Sequence, residues 1–244
     1  CGERKESGVR FLFSLMILMA LTAAGPVDHW RALIKAGKNT EALARVRKAA
    51  DTGDPVALDW LAWFYDEGRG VAADKKKAAD YYRQAAEKGE PHAEWRYGVM
   101  LDTGEGVALD STAAMGWFRK SAAQEFSNAY VSMGVMYSGG RGVGRDYAKA
   151  LDCYRQAAKL HNIHAFNEIG IVYLAGEGVP PDKIEAAAYF IIAATNGDRR
   201  AQQQLNTIGG VLEEDGLKRA ADRATALSKE FHLDGAPDKS GLTT

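Results

Sequence analysis

From residue 55 onward the chain carries two apolar stripes in alternation. Ala57, Leu61, Phe64 and Tyr65 follow i, i+4, i+7, i+8 spacing, which is one face of a helix. Gly68 and Gly70 close that stripe around Arg69, Val71 follows, and Asp74 opens a second stripe of Ala78, Tyr82, Ala85 and Ala86 that ends at Gly89. The same marks return every 36 residues: Gly104-Glu105-Gly106-Val107 with Asp110, Gly140-Arg141-Gly142-Val143 with Asp146, and Gly176-Glu177-Gly178-Val179 with Asp182. Ala57, Ala93, Ala129, Ala165 and Ala201 keep the beat, as do Tyr82, Phe118, Tyr154 and Phe190. A fixed period of this length is the mark of stacked supersecondary units that bury their cores against one another. Each unit reads as a helix pair.

The punctuation has local causes. Glycine takes the left-handed conformation that closes a helix, and a second glycine two residues on permits a sharp turn. Asp74 and its equivalents stand where an N-cap accepts from free backbone N–H groups. Glu185, three residues after Asp182, has the spacing of a capping box. Ala78 and Ala86, with Gly98, Gly134 and Gly170 in later units, permit close helix approach. The residue between paired glycines alternates in sign, Arg69, Glu105, Arg141, Glu177, which predicts loose ion pairs along a loop edge.

The reading divides the chain into a leader over 1–24, a capping helix pair over 25–53, four full repeats over 54–197, a half repeat with a capping helix over 198–231, and a disordered tail over 232–244. Trp30, Leu33 and Ile34, then Ala42, Val46, Ala49 and Ala50, form the apolar sides of the first pair. Leu217, Ala221, Ala224 and Leu227 form the last helix, which a repeat array needs to cover its terminal apolar face.

These residues resemble the Sel-one-like repeat (SLR) family, an α/α-repeat branch of the tetratricopeptide superfamily. The matching elements are Leu61 and Tyr65, the Gly-x-Gly-Val loop, the capping Asp and the Ala-Ala pair late in the second helix. The resemblance covers roughly Gly25 to Phe231. Ala62 in place of Gly, Leu101 in place of Tyr, and Glu125 and His161 in place of the glycine after the second helix are departures. The fold expected is an all-α, right-handed superhelical solenoid of about five helix pairs. The resemblance also implies that the first helix of each pair lines a concave side. Matching Leu61 and Tyr65 to the family pattern places there Val56, Asp59, Trp63 and Asp66, then His92, Trp95, Val99 and Asp102. Asn128, Val131, Val135 and Ser138 follow, then His164, Asn167, Ile171 and Leu174. Aromatic anchors among polar neighbours suit recognition of a protein or peptide segment; the alternative is that Trp63 and Trp95 only pack between adjacent first helices.

Arg4, Lys5 and Arg10 precede an apolar run from Phe11 to Leu21, and Thr22-Ala23-Ala24 offers small residues. This is the layout of a secretory signal peptide, with an uncleaved anchor as the alternative, and it predicts a periplasmic or secreted protein. Lysine plus arginine number 31 against 32 acids, so no basic face argues for nucleic acid, and a monomer with no membrane contact after leader removal is expected. Cys1 and Cys153 are the two cysteines, which leaves Cys153 as a half-buried structural thiol.

The Gly-x-Gly segments lie between helices, not between a strand and a helix, so they are not dinucleotide loops. Asp51-Thr52-Gly53 and Asp102-Thr103-Gly104 fall at helix ends and carry no protease reading. Serine β-lactamase motifs are missing. His92 and His164 are two units apart, about 20 Å at one helix-packing distance per unit, too far to share a metal. No cofactor, metal or catalytic residue is expected. The function expected is a non-enzymatic adaptor or scaffold; the alternative is a weak hydrolase of cell-wall fragments or β-lactams, suggested by labels within the resembled family, with Asp59, His92, Asp102 and Asn128 as its nominal cluster.

Overall fold

A computed structural model describes residues 25–233. The leader expected over 1–24 and the tail from 234 lie outside the described residues. Twelve α-helices and no strand occur among the described residues. They fall into two compact units, divided between Tyr81 and Tyr82.

The first unit holds α1 (Pro26–Lys35), α2 (Asn39–Ala50), α3 (Pro55–Glu67) and the start of α4 (Lys75–Glu87). Trp30 and Leu33 of α1, Ala42, Leu43, Val46 and Ala50 of α2, and Leu58, Trp60, Leu61 and Phe64 of α3 are buried. Trp30 meets Trp60 edge to face at 6.3 Å. Asp54 caps α3 by accepting from the Ala57 N–H at 2.8 Å, and Gly68 closes it with φ of 66°. Gly70 also has positive φ, and a β-carbon on it would lie 2.9 Å from the Asn39 carbonyl carbon. The second glycine of the loop therefore lets the turn rest against the start of the preceding second helix.

The second unit holds the rest of α4, then α5 (Pro91–Thr103), α6 (Ser111–Ala123), α7 (Ser127–Gly139), α8 (Tyr147–Lys159), α9 (Ile163–Ala175), α10 (Lys183–Thr195), α11 (Arg199–Gly209) and α12 (Glu214–Glu230). Consecutive helices from α5 to α11 pack in sequence, and α12 packs back on α10. Within each pair one aromatic of the second helix presses on a glycine of the first. A β-carbon on Gly98 would lie 2.7 Å from the Phe118 ring, one on Gly170 would lie 2.6 Å from Phe190, and one on Gly134 would overlap Tyr154. Interiors packed at crystal density leave no room for the extra carbon.

Several expectations are corrected in detail. Glu185 does not close a capping box. It takes both arms of Arg223 on α12, at 2.7 and 2.8 Å, while Asp182 alone caps α10 through the Ile184 and Glu185 N–H groups. The buried side of α12 is Ala220, Ala224 and Leu227, continued by Phe231, with Leu217 and Ala221 exposed. The stripe is thus rotated by about one residue, because Phe231 docks on Phe166 at 5.1 Å and fixes which face turns inward. The ordered chain also passes 231: the Leu233 N–H bonds to the Ser228 carbonyl at 2.9 Å. Glu125 and His161 hold the left-handed turn that glycine holds elsewhere, each with φ of 60°.

Candidate binding face

The first helices of the second unit, α5, α7, α9 and α11, are tied to one another by side chains at a recurring pair of positions. One is the residue just before a first helix. The other lies early in the preceding first helix, 34 residues back. Phe126 meets His92 at 5.8 Å. Asn162 donates from Nδ2 to the Asn128 Oδ1 at 2.6 Å and to the Ser127 Oγ at 3.0 Å. Asp198 accepts from the His164 Nδ1 at 2.8 Å. Ring meets ring, amide meets amide, and imidazole meets carboxylate.

Two of the reaching residues also serve their own helices. Asn162 Oδ1 accepts from the His164 N–H, and Asp198 Oδ1 accepts from the Arg200 and Ala201 N–H groups. Burial is the largest single influence on the Asp198 carboxyl and pushes it upward. The bonds from His164, Ala201 and Arg200 together outweigh it and hold the group below the usual carboxylate range. Because a carboxylate only accepts, His164 presents Nδ1–H to Asp198. The ring itself is exposed.

At the other end of the face His92, Trp95 and Phe126 form one aromatic cluster. Trp95 lies 5.6 Å from His92 and 5.7 Å from Phe126. Its Nε1–H donates to the Ser132 Oγ on α7 at 3.0 Å, which fixes the indole while leaving it partly exposed. Val99, Val131, Val135 and Ile171 are partly buried and pack on the cores beneath. In the first unit Trp63 is half-buried, with Trp60 at 5.6 Å, Phe64 at 5.2 Å and the Arg69 guanidinium over its ring at 5.1 Å.

Three residues expected on the concave side present no surface: Asp66 is 4 % exposed and accepts from Lys75 at 2.6 Å, and Asp59 and Asn167 are buried as well. Asp59 is 3 % exposed and Asn167 is 1 % exposed; Asn167 donates to Glu168 at 3.3 Å. Asp102 and Asn128, half of the cluster nominated for hydrolysis, are occupied: Asp102 accepts from Ser111 at 2.8 Å and from Arg141 at 3.0 Å, and Asn128 is held by Asn162. Two of the loop charges also reach side chains outside the loop edge. Arg141 turns to Asp102 on α5, and Arg69 lies on Trp63. The Cys153 thiol is half-buried, and burial pushes it up to about 11, so it stays protonated and unreactive at neutral pH.

Phe126, Asn162 and Asp198 were not anticipated as part of this face. Their signal in the sequence is that the residue before each first helix changes chemistry from repeat to repeat while the alanine three residues on, at 93, 129, 165 and 201, does not.

The helix pairs, the left-handed Gly-x-Gly closures and the aromatic-on-glycine packing define an α/α-repeat protein. The Sel1 repeat profile matches residues 55–90, 91–126, 127–162 and 165–198, and the chain belongs to the Sel1 repeat family. A Sel1 repeat protein from Oxalobacter formigenes is 33 % identical, over 86 % of this chain and 85 % of that one, with a TM-score of 0.71. The protective antigen c5321 of uropathogenic Escherichia coli, described as displaying an SLR fold, aligns over 94 % of this chain with a TM-score of 0.75 at 24 % identity. The match spans about half of that protein, 52 % of its length. The immunity protein Pa5087 of Pseudomonas aeruginosa shares the fold at 19 % identity, over 85 % of this chain and 84 % of that one, with a TM-score of 0.56. No curated protein matches the chain. Sel1 repeats are commonly protein-interaction modules.

Proposed function

We propose that this protein is a non-enzymatic, exported scaffold that holds a protein or peptide segment on its first-helix face. One observation carries the reading: Trp95 is held in place by Ser132, flanked by His92 and Phe126, and still partly exposed to solvent. A large ring ordered before binding loses little freedom on association, and rigid aromatic anchors of this kind supply much of the energy of protein interfaces. Val99, Val131 and Val135 offer apolar ground beside it, and the exposed His164 offers a polar contact. Trp63 supplies a corresponding anchor within the first unit. Export rests on the basic residues, apolar run and small residues of the leader segment. Among the described residues no helix is long and apolar enough to cross a membrane.

The test is a crosslinking capture from the native organism with identification of the captured protein, using wild type, Trp95→Ala, Trp63→Ala and the exposed control Lys76→Ala. Loss of one specific partner with Trp95→Ala and its retention with the control is the outcome expected. Equal capture by all four proteins overturns the reading. So does turnover of a β-lactam or muropeptide that His92→Ala abolishes in a folded protein.

A further inference from the structure

A second recurring contact lies away from the first-helix face. Arg47, Arg119 and Arg155, on α2, α6 and α8, each donate to the phenol oxygen of a tyrosine 18 residues on: Tyr65 at 3.0 Å, Tyr137 at 3.5 Å and Tyr173 at 3.2 Å. Leu101 interrupts the series, and Arg83 bonds Glu87 on its own helix at 3.1 Å. In two copies a second tyrosine backs the first. Tyr65 stacks on Tyr81 at 5.7 Å within the first unit, and Tyr173 stacks on Tyr189 at 5.8 Å within the second.

Around Tyr173 and Tyr189 the capping helix changes the surroundings. Arg223 of α12 is clamped by Glu185 of α10, and Phe231 docks on Phe166. The result is a cavity of about 360 Å³ bordered by Arg155, Lys159 and the two tyrosines on one side and by Glu230 and Phe231 on the other. Its charge is unevenly satisfied. Arg223 and Glu185 neutralise each other through two bonds. Arg155 is aimed by Tyr173, with the exposed Asp152 4.0 Å away. Lys159, in the last turn of α8 and exposed, takes part in no ion pair among the described residues. Glu230 is the remaining acid. The cavity therefore combines two cations, one of them fixed in direction, with stacked aromatic rings.

We propose that this cavity is a binding site for a carboxylate carried on a short, flat apolar body. Arg155 and Lys159 take the carboxylate through charge-assisted hydrogen bonds, and the apolar body lies against Tyr173, the partly exposed ring of the stack, which the buried Tyr189 backs. The volume suits one amino-acid side chain or a small aromatic acid, at the lower end of the range for ligand sites, about 300–1,000 Å³. The site is independent of the first-helix face.

The test is a titration of the isotopically labelled protein followed by amide chemical shifts, with benzoate, inorganic phosphate, benzylamine and the blocked dipeptide N-acetyl-Glu-Phe-amide as probes. Saturable shifts confined to residues near 155–159, 185–189 and 223–231 are expected with benzoate and not with benzylamine. Tighter binding of the dipeptide assigns the carboxylate to a partner's side chain; binding of benzoate alone assigns it to a free small acid. Lys159→Glu lies at an exposed position, and it is expected to raise the Kd about tenfold, the loss of one charge-assisted bond. Glu230→Lys is expected to lower it severalfold. Benzylamine binding as well as benzoate, phosphate binding alone, or a benzoate response unchanged in both variants overturns the proposal.

Discussion

The loops after the first helices and the residues before them belong to the same repeat but answer to different constraints. The four loops are nearly one sequence, because each must close a helix in the left-handed region, turn at a second glycine and cap the next helix with Asp. Their geometry leaves one solution. The residues before the first helices are Glu90, Phe126, Asn162 and Asp198, and the last three each match the residue they touch one repeat back. There the backbone asks only for a residue in extended conformation, so side-chain chemistry is free to vary, provided its partner varies with it. The loops fix how every pair is built. The matched pairs distinguish one step of the array from the next.

That contrast can be broken most severely at a loop. Gly142 has φ of 63°, and a β-carbon there would overlap the Ser111 backbone. Gly142→Ala combines left-handed strain of about 1–2 kcal/mol with an overpacking cost of about 1–3 kcal/mol. Urea unfolding should show a loss near the top of that sum, and a loss under about 1 kcal/mol would mean that the loop does not rest on α6.

A matched pair should cost less and should be specific to its partner. Asn162→Ala removes a cap and leaves Ser127 and Asn128 short of a donor, about 1–3 kcal/mol together. Its coupling with Asn128→Ala in a double-mutant cycle should be measurable, while coupling with Asp110→Ala should be near zero. The imidazole–carboxylate step adds a pH signature. The folded Asp198 carboxyl titrates below its unfolded value of about 3.9, so its stabilisation is present above that pH and is lost as pH falls through the folded value. Asp198→Asn should flatten the stability profile in that acid range; an unchanged slope would remove Asp198 from the account.

The smallest effect has the opposite sign. Glu125 occupies a left-handed turn with φ of 60°, so Glu125→Gly should stabilise the protein by up to about 1 kcal/mol. A destabilisation would show that the Glu125 side chain makes a contact worth more than the strain.

The helix pairs and their closures were legible because each depends on a residue type whose backbone preference is strong and which repeats in phase. Gly68, Asp74 and Phe118 are of this kind. The face of α12 was less so: Leu217 and Ala221 share a stripe with Ala224 as plausibly as Ala220 does, and only the docking of Phe231 on Phe166 decides. The matched pairs were hidden for a different reason. Counting by 36 aligns equivalent residues, whereas the contacts join positions 34 apart, an offset set by how far one helix is staggered along its neighbour. The Arg–Tyr contacts had a visible trace, since Arg47, Arg83, Arg119 and Arg155 keep the repeat's beat. Their tyrosines sit half a period away on another helix, so the pairing needed the packing to appear. Asp59, Asp66 and Asn167 are buried although the family pattern places them on a helix face, because depth along that face is set by neighbours the pattern does not contain.

Cys153 offers a clock within this architecture. Raised from 9.0 to about 11 by burial, its thiol holds roughly a hundredth of the thiolate an open cysteine would have at the same mildly alkaline pH. In protein without residues 1–24, and so without Cys1, a thiol-directed reagent in excess would then modify the chain only as α8 separates from its neighbours. Varying the reagent concentration separates the frequency of that opening from the population of the opened state. One unmodified side chain in the middle of the array can thus time the local breathing of a repeat, without a label being introduced anywhere else in the chain.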